Sequence, residues 1–224
     1  MNPTSGDTDV RPLLREAAEW RLIGLLFECP VDGWRDQLKG LAAEAGDAFL
    51  RETAELARQE ASQPLYHTAF GPGGPAPPRE VSYRDTVHPG RFLAEIGDFY
   101  QAFAYAPSAP ETPDHVATEA GFMAYLRLKE AYARSCGDAE AVTVCQRAAE
   151  RFLQEHLSVI AGPLARSLEA SGIGYLVRAG AALLDRVGPP GERLPAREAP
   201  LDLIQSACGP EDPDSACEPC GRND

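Results

Sequence analysis

The chain has 224 residues, with 34 acidic against 21 basic side chains, a formal charge of −13 and 44% hydrophobic residues. That length carries a full core in one domain, and the hydrophobic share excludes wholesale disorder. The acidity argues against a nucleic-acid binder, which needs a basic footprint on phosphate, and against binding to an anionic membrane surface.

In chain order, almost every periodic stretch reads as helix. Pro12 suits a first helical turn, and Leu14, Ala18, Leu22, Leu25 and Leu26 then recur at spacings of three and four until Cys29-Pro30. The apolar run from Leu22 to Phe27 is far short of the ~20 residues of a membrane span, so no membrane insertion is expected. Met1 to Asp9 is polar and acidic and lacks the basic and apolar regions of a secretory signal, which makes the cytoplasm the expected compartment. Asp32 is placed to cap a second helix with Trp34, Leu38 and Leu41, and Asp47 a third with Leu50, Ala54 and Ala57. Residues 63–90 carry six prolines with Gly71, Gly73, Gly74 and Gly90, and are expected to form one long irregular loop that packs through Tyr66, Phe70 and Tyr83. Periodicity resumes with Phe92, Ile96, Phe99, Tyr100 and Phe103, a stripe that belongs in a core. Further helices are expected from Asp114 (Val116, Ala120, Met123, Leu126), from Asp138 (Val144, Ala148, Phe152, Leu157) and through Ile160, Leu164 and Leu168, with Pro163 at a break or kink. The last runs from Tyr175 to Arg186, after Gly172-Ile173-Gly174. The expectation is an all-α, single-domain multi-helix bundle over residues 1–187, followed by an irregular acidic tail over residues 188–224.

Two groups of residues carry possible chemistry. His115 and Glu119 stand four apart, so an imidazole and a carboxylate share a helix face and could share a metal or a proton. The plainer alternative makes Asp114 an N-cap and the other two a surface pair. In the tail, Cys208, Cys217 and Cys220 offer a Cys-x-x-Cys arm plus one further thiolate, one ligand fewer than zinc or an iron–sulfur cluster usually takes; the alternative is free thiols. The remaining cysteines, Cys29, Cys136 and Cys145, fall in helical sequence. No Glu stands three residues before His67, His88, His115 or His156, so a di-metal bundle lacks support. Gly71-Pro72-Gly73-Gly74-Pro75 is no phosphate loop, because the following Lys-Ser/Thr is missing and prolines remove amide donors. A serine nucleophile elbow is also missing.

Three ordered blocks resemble a known family. The first is Phe70-Gly71-Pro72, then Pro77-Pro78 and Ser82-Tyr83; the second is Pro113-Asp114-His115 with Glu119 and Phe122-Met123; the third is His156-Leu157, followed by Gly174-Tyr175. Together they are similar to the redox-enzyme maturation chaperones, the family of the trimethylamine-N-oxide and dimethyl-sulfoxide reductase chaperones and the nitrate reductase delta subunit (TorD, DmsD and NarJ). The likeness spans roughly residues 10 to 187. Arg79 stands where several relatives carry Trp after the double proline, and Val159 and Ile160 stand where several carry Trp after His-Leu.

The resemblance implies an all-α fold and no catalysis. It implies a cytoplasmic chaperone, often of anaerobic respiration, that binds the precursor of a molybdopterin oxidoreductase by its twin-arginine leader, its body or both, and supports cofactor insertion before export or assembly. It points to the branch serving type II enzymes of the dimethyl-sulfoxide reductase family. It implies no cofactor of the chain's own, since molybdopterin belongs to the client, and a monomer or homodimer. Phe70, Gly71, Pro72, Pro77, Pro78, Ser82, Tyr83, Asp114, His115, Glu119 and His156 are the partner-binding residues it implies. A leader offers two guanidinium groups and then an apolar, helix-prone stretch. A groove lined by Phe70 and Tyr83 could take that stretch, with Asp114 accepting from the arginines and the net charge steering the encounter. A metal- or iron–sulfur-binding helical protein using the tail cysteines is the alternative.

Overall fold

A computed structural model describes residues 9–85, 88–107 and 111–188. Among them stand nine α-helices: α1 Arg11–Leu26, α2 Trp34–Glu44, α3 Ala48–Glu60, α4 Gln63–Phe70, α5 Pro89–Ala102, α6 Val116–Cys136, α7 Ala139–Phe152, α8 Ser158–Ser171 and α9 Gly174–Val187. A 3-10 turn, Glu80–Tyr83, lies between α4 and α5, and a π-turn, Leu153–Leu157, joins α7 to α8. The described residues contain no β-strand beyond one isolated antiparallel bridge between Arg79 and His115. The chain is therefore an all-α single domain.

α1 and α6 form the central pair. The second half of α1 is buried almost all round, through Trp20, Leu22, Ile23, Gly24, Leu25 and Leu26, as expected of a helix walled by others. The two helices meet closely at Gly24: a Cβ there would stand 3.0 Å from the Ala117 carbonyl oxygen of α6. α2, α3, α8 and α9 wrap one side of this pair, and α5 and α7 bring in an aromatic cluster. Its rings are Phe99, Tyr100, Phe122 and Phe152, with Phe122 and Phe152 at 4.8 Å between centroids. The stripe expected as core is core: Phe92, Ile96, Phe99, Tyr100 and Phe103 are all buried.

Caps explain most boundaries. Asp47 accepts from the Phe49 amide at 2.8 Å, and Asp138 accepts from the Ala141 amide at 2.9 Å. Gly137 (φ 73°) and Gly172 (φ 67°) end α6 and α8 in the left-handed conformation. Asp32 does not cap α2, because Gly33 takes that position at φ 79°.

The irregular loop expected over residues 63–90 is shorter than that. Residues 63–70 form α4, capped by Ser62, and α5 already starts at Pro89. The reason is position: Pro64 and Pro89 stand in first turns, where a missing N–H breaks no helical hydrogen bond. Pro163 lies inside α8, which continues past it, while the break in helical regularity sits upstream at the π-turn. The tail expected over residues 188–224, with Cys208, Cys217 and Cys220, lies outside the described residues apart from Gly188. Of the described residues, no helix is long and apolar enough to cross a membrane.

Candidate functional site

The segment from Pro77 to Arg84 is pinned onto the bundle by buried charge. Its backbone pairs with the entry to α6: the Glu80 amide donates to the Asp114 carbonyl at 2.8 Å, and the Val116 amide donates to the Pro78 carbonyl at 2.9 Å. Arg79 Nε donates to both carboxylate oxygens of Asp114, at 3.0 and 3.2 Å. Arg84 Nε donates to Glu80 at 2.6 Å, and a second guanidinium nitrogen reaches the Glu155 carbonyl in the π-turn. On the other Glu80 oxygen, His156 Nδ1 donates at 3.0 Å. Glu80 and Asp114 are fully buried: the Glu80 carboxylate is held by Arg84 of its own segment and His156 of the π-turn, and the Asp114 carboxylate by Arg79 and the Val81 amide.

Two groups in this centre are left with open hydrogen-bonding capacity. His115 caps α6 by accepting the Ala117 amide on Nδ1 at 3.1 Å, which puts the proton of the neutral ring on Nε2. That Nε2 has no hydrogen-bond partner among the described residues; the nearest carboxylate, Glu111, is 3.8 Å away. Burial lowers the His115 pKa to about 4, with Arg79 acting in the same direction. Both oxygens of Glu119 also lack a partner. Burial, and after it the Glu80 charge, raises the pKa of this carboxyl well above its usual range and so favours its neutral form. The described residues contain no cluster of three or more His, Cys, Asp or Glu arranged to hold a metal ion.

The sequence-selected residues thus divide by exposure. Asp114, His115, Glu119 and His156 converge on one centre and are buried there. Asp114 is an ion-pair partner of Arg79 and not the helix cap, which is His115. Phe70 packs edge-on against Tyr66 and Phe27, at 5.0 and 6.3 Å between centroids. Pro72, Pro77 and Ser82 are exposed, while Gly71, Pro78 and Tyr83 are half-buried. Tyr83 closes the loop by donating its hydroxyl to the Pro77 carbonyl at 2.8 Å. Sequence reasoning missed Glu80, which joins the centre, and Arg84. Two charged residues following a double proline were the available signal.

A concavity lies elsewhere, along the seam of α1 and α6. It is a groove of about 630 Å³ whose floor is Ala17, Ala18, Ala117, Gly121 and Ala124. Its lips carry Leu14 (44% exposed) and Leu128 (48% exposed), with Tyr105 and Tyr125 closing one side. Small residues on both helices leave this hollow, and the segment through Ala106 and Pro107 borders it. Charge of both signs lines the groove: Arg11, Arg15 and Glu44, and Glu28, which Arg21 of the same lining pairs at 2.7 Å. Near Glu28 is Glu111, whose pKa is raised by burial and then by the Glu28 charge. This end of the groove adjoins the entry to α6, where the 77–84 segment is pinned.

A family model described as the nitrate reductase delta subunit matches residues 32–166, more than half of the chain. The chain belongs to the nitrate reductase delta subunit family. This is a family of molybdoenzyme maturation chaperones, not of catalysts. The family match encloses the double proline, the Asp114-His115 pair and His156, together with all of the buried centre built from them. α1, which forms one wall of the groove, and α9 lie outside it. No curated protein and no solved structure shows a significant match to the chain.

Proposed function

We propose that this chain is a system-specific chaperone that binds the precursor of a molybdopterin oxidoreductase, by its twin-arginine leader and in part by its body, and supports cofactor insertion in the cytoplasm before export or assembly. The observation that carries the reading is the largely apolar α1–α6 groove, with Glu28 and Glu111 near one end, on a chain of a molybdoenzyme chaperone family. A leader joins two guanidinium groups to an apolar stretch. The apolar stretch lies along the alanine floor as a helix in a groove. The guanidinium groups meet Glu111 and Glu28, two carboxylates close enough that one raises the pKa of the other. Glu28 is already paired with Arg21 at 2.7 Å, so Glu111 is the carboxylate open to an arriving guanidinium.

The pinned loop with exposed Pro72, Pro77 and Ser82 is the second contact surface, toward the client body. In this reading Asp114, His115, Glu119 and His156 act from beneath it, as positioning residues rather than as contacts. The chain needs no cofactor of its own for this task, and molybdopterin stays with the client. Stoichiometric zinc or iron in the purified protein would overturn that part and favour a metal site at the tail cysteines.

The test is isothermal calorimetry of the full-length chain with the leader peptide of a cognate molybdoenzyme. Saturable binding that is lost in Leu128→Asp is the expected result. Absence of binding to any cognate leader or precursor sinks the proposal.

A further inference from the structure

The groove is lined by a hydroxyl-bearing residue that the fold leaves unsatisfied. Thr118 belongs to the lining and is 2% exposed, and its Oγ1 has no hydrogen-bond partner among the described residues. Other helical threonines of this chain meet the same need locally, by donating to the carbonyl four residues back. Thr53 donates to Phe49 at 2.7 Å, Thr68 to Pro64 at 2.9 Å and Thr143 to Ala139 at 2.9 Å. For Thr118 that carbonyl belongs to Asp114, which stands before the His115 cap and outside α6. It accepts the Glu80 amide at 2.8 Å instead. The pairing that pins the 77–84 segment thus leaves the Thr118 hydroxyl uncommitted.

Tyr105 stands next to this hydroxyl and is loosely held. Its own hydroxyl donates to the Thr118 carbonyl at 3.4 Å, beyond the ~3.0 Å limit of a good O–H···O bond. Gly121 makes room for it, since a Cβ there would stand 2.6 Å from the Tyr105 hydroxyl. Ala104, the residue before, sits at φ 53°, a left-handed conformation that is strained for a residue with a Cβ. The rest of the floor on α6 is Ala117, Gly121 and Ala124, which offer no side-chain polar atom. The charges near Tyr105, Arg21 and Glu28, pair with each other at 2.7 Å, so no uncompensated charge is set beside the hydroxyl. A hydroxyl that can both donate and accept, in such surroundings, suits a neutral group that does the same: the hydroxyl of Ser or Thr, or the carboxamide of Asn or Gln.

We propose that Thr118 is a specificity-determining contact of the groove, whose hydroxyl bonds one neutral polar side chain set within the apolar stretch of the bound segment, while Tyr105 gives up its long bond and moves aside. This rests on the reading of the groove as the leader site. A wholly apolar stretch leaves the buried hydroxyl unpaired and binds less tightly. A charged side chain loses its hydration there with no opposite charge to replace it. The groove therefore selects a leader with a polar residue at one register over apolar helices in general.

The experiment keeps the full chain and uses a cognate leader peptide, together with forms in which each Ser, Thr, Asn or Gln of its apolar stretch is replaced singly by Ala. Calorimetry compares them on wild type, Thr118→Val and Thr118→Ser. The first variant keeps the branched shape without the hydroxyl, and the second keeps the hydroxyl. Leader binding about tenfold weaker in Thr118→Val, with Thr118→Ser close to wild type, is expected. One alanine peptide should lose the same factor on wild type and nothing further on Thr118→Val. Thermal melting of Thr118→Val should be at or above wild type, because no internal bond is lost. A lower melting temperature that Thr118→Ser restores means that the hydroxyl serves the fold, and overturns the inference. Equal leader binding by wild type and Thr118→Val, or losses that simply add, overturns it while the proposed function stands. A wild type that binds no leader overturns both.

Discussion

At the scale of single residues, the buried centre stores two opposite responses to pH. In the folded chain burial raises the Glu119 pKa well above the ordinary 4.5 at which it ionises when unfolded. Its contribution is complete below about pH 4.5 and is lost as pH rises toward the folded value. His115 runs the other way, from an ordinary 6.5 to about 4 when folded, so its contribution is complete above 6.5 and is lost as pH falls through about 4. Between pH 4.5 and 6.5 the two slopes oppose each other. Glu119→Gln removes one of them, and urea titrations across this range should show the variant gaining on wild type by up to ~1.4 kcal/mol per pH unit. Parallel profiles would mean that Glu119 is ionised in the fold. Glu111 gives a prediction of the other kind. Its charge is disfavoured where it stands, so Glu111→Gln should leave thermal stability unchanged or slightly raised while weakening leader binding by about tenfold, the size of one charge-assisted hydrogen bond. Weakened folding with intact binding would make Glu111 structural. Asp114, His115 and Glu119 were visible in the sequence as a group, because their spacing marks a helix entry. Their burial was not. It depends on Glu80 and Arg79, which come from a segment some 35 residues earlier and meet them only in the fold.

At the scale of elements, turn chemistry was legible where a residue type dictates geometry, and it failed where position within the turn decides. Asp47 and Asp138 cap as their sequence context predicts. The proline count hid α4, since a count does not distinguish a first turn from an interior. The end of α4 is fixed by close approach: Ala76 donates its amide to the Ala69 carbonyl at 3.1 Å, and a Cβ on Gly74 would stand 2.4 Å from that same oxygen. Gly74→Val must displace backbone, and a loss of about 1–3 kcal/mol in equilibrium unfolding is expected, with the 77–84 loop loosened first. Hydrogen exchange that accelerates at the Glu80 and Val116 amides in this variant checks the second half. Unchanged exchange there would show that the loop is held by the buried charges alone.

At the scale of the whole molecule, the charge of −13 sets the long-range field. A leader with paired arginines is drawn to such a surface, and the attraction between exposed charges shrinks as the screening length falls from about 30 Å at 0.01 M salt to about 8 Å at 0.15 M. Leader affinity should therefore fall with ionic strength, chiefly through the association rate. Stopped-flow kinetics at two salt concentrations measures this. A salt-independent rate would confine recognition to the apolar floor.

Sequence alone determined that this protein is a bundle of helices with one proline-rich interruption, because periodicity, caps and prolines act within a few residues of where they stand. It also singled out the blocks by which the family is recognised, since those residues serve local turns and helix entries. Tertiary structure decided what those blocks do. Pairing Pro78 and Glu80 with Asp114 and Val116 turned the Asp-His pair from a helix mouth into a buried staple, a result of desolvation that no spacing encodes. The groove likewise exists because small residues of α1 and α6, about a hundred positions apart, face each other along one seam. Alanine in a helix reads as propensity in the sequence, and becomes a cavity only when the opposing helix is also built from small side chains.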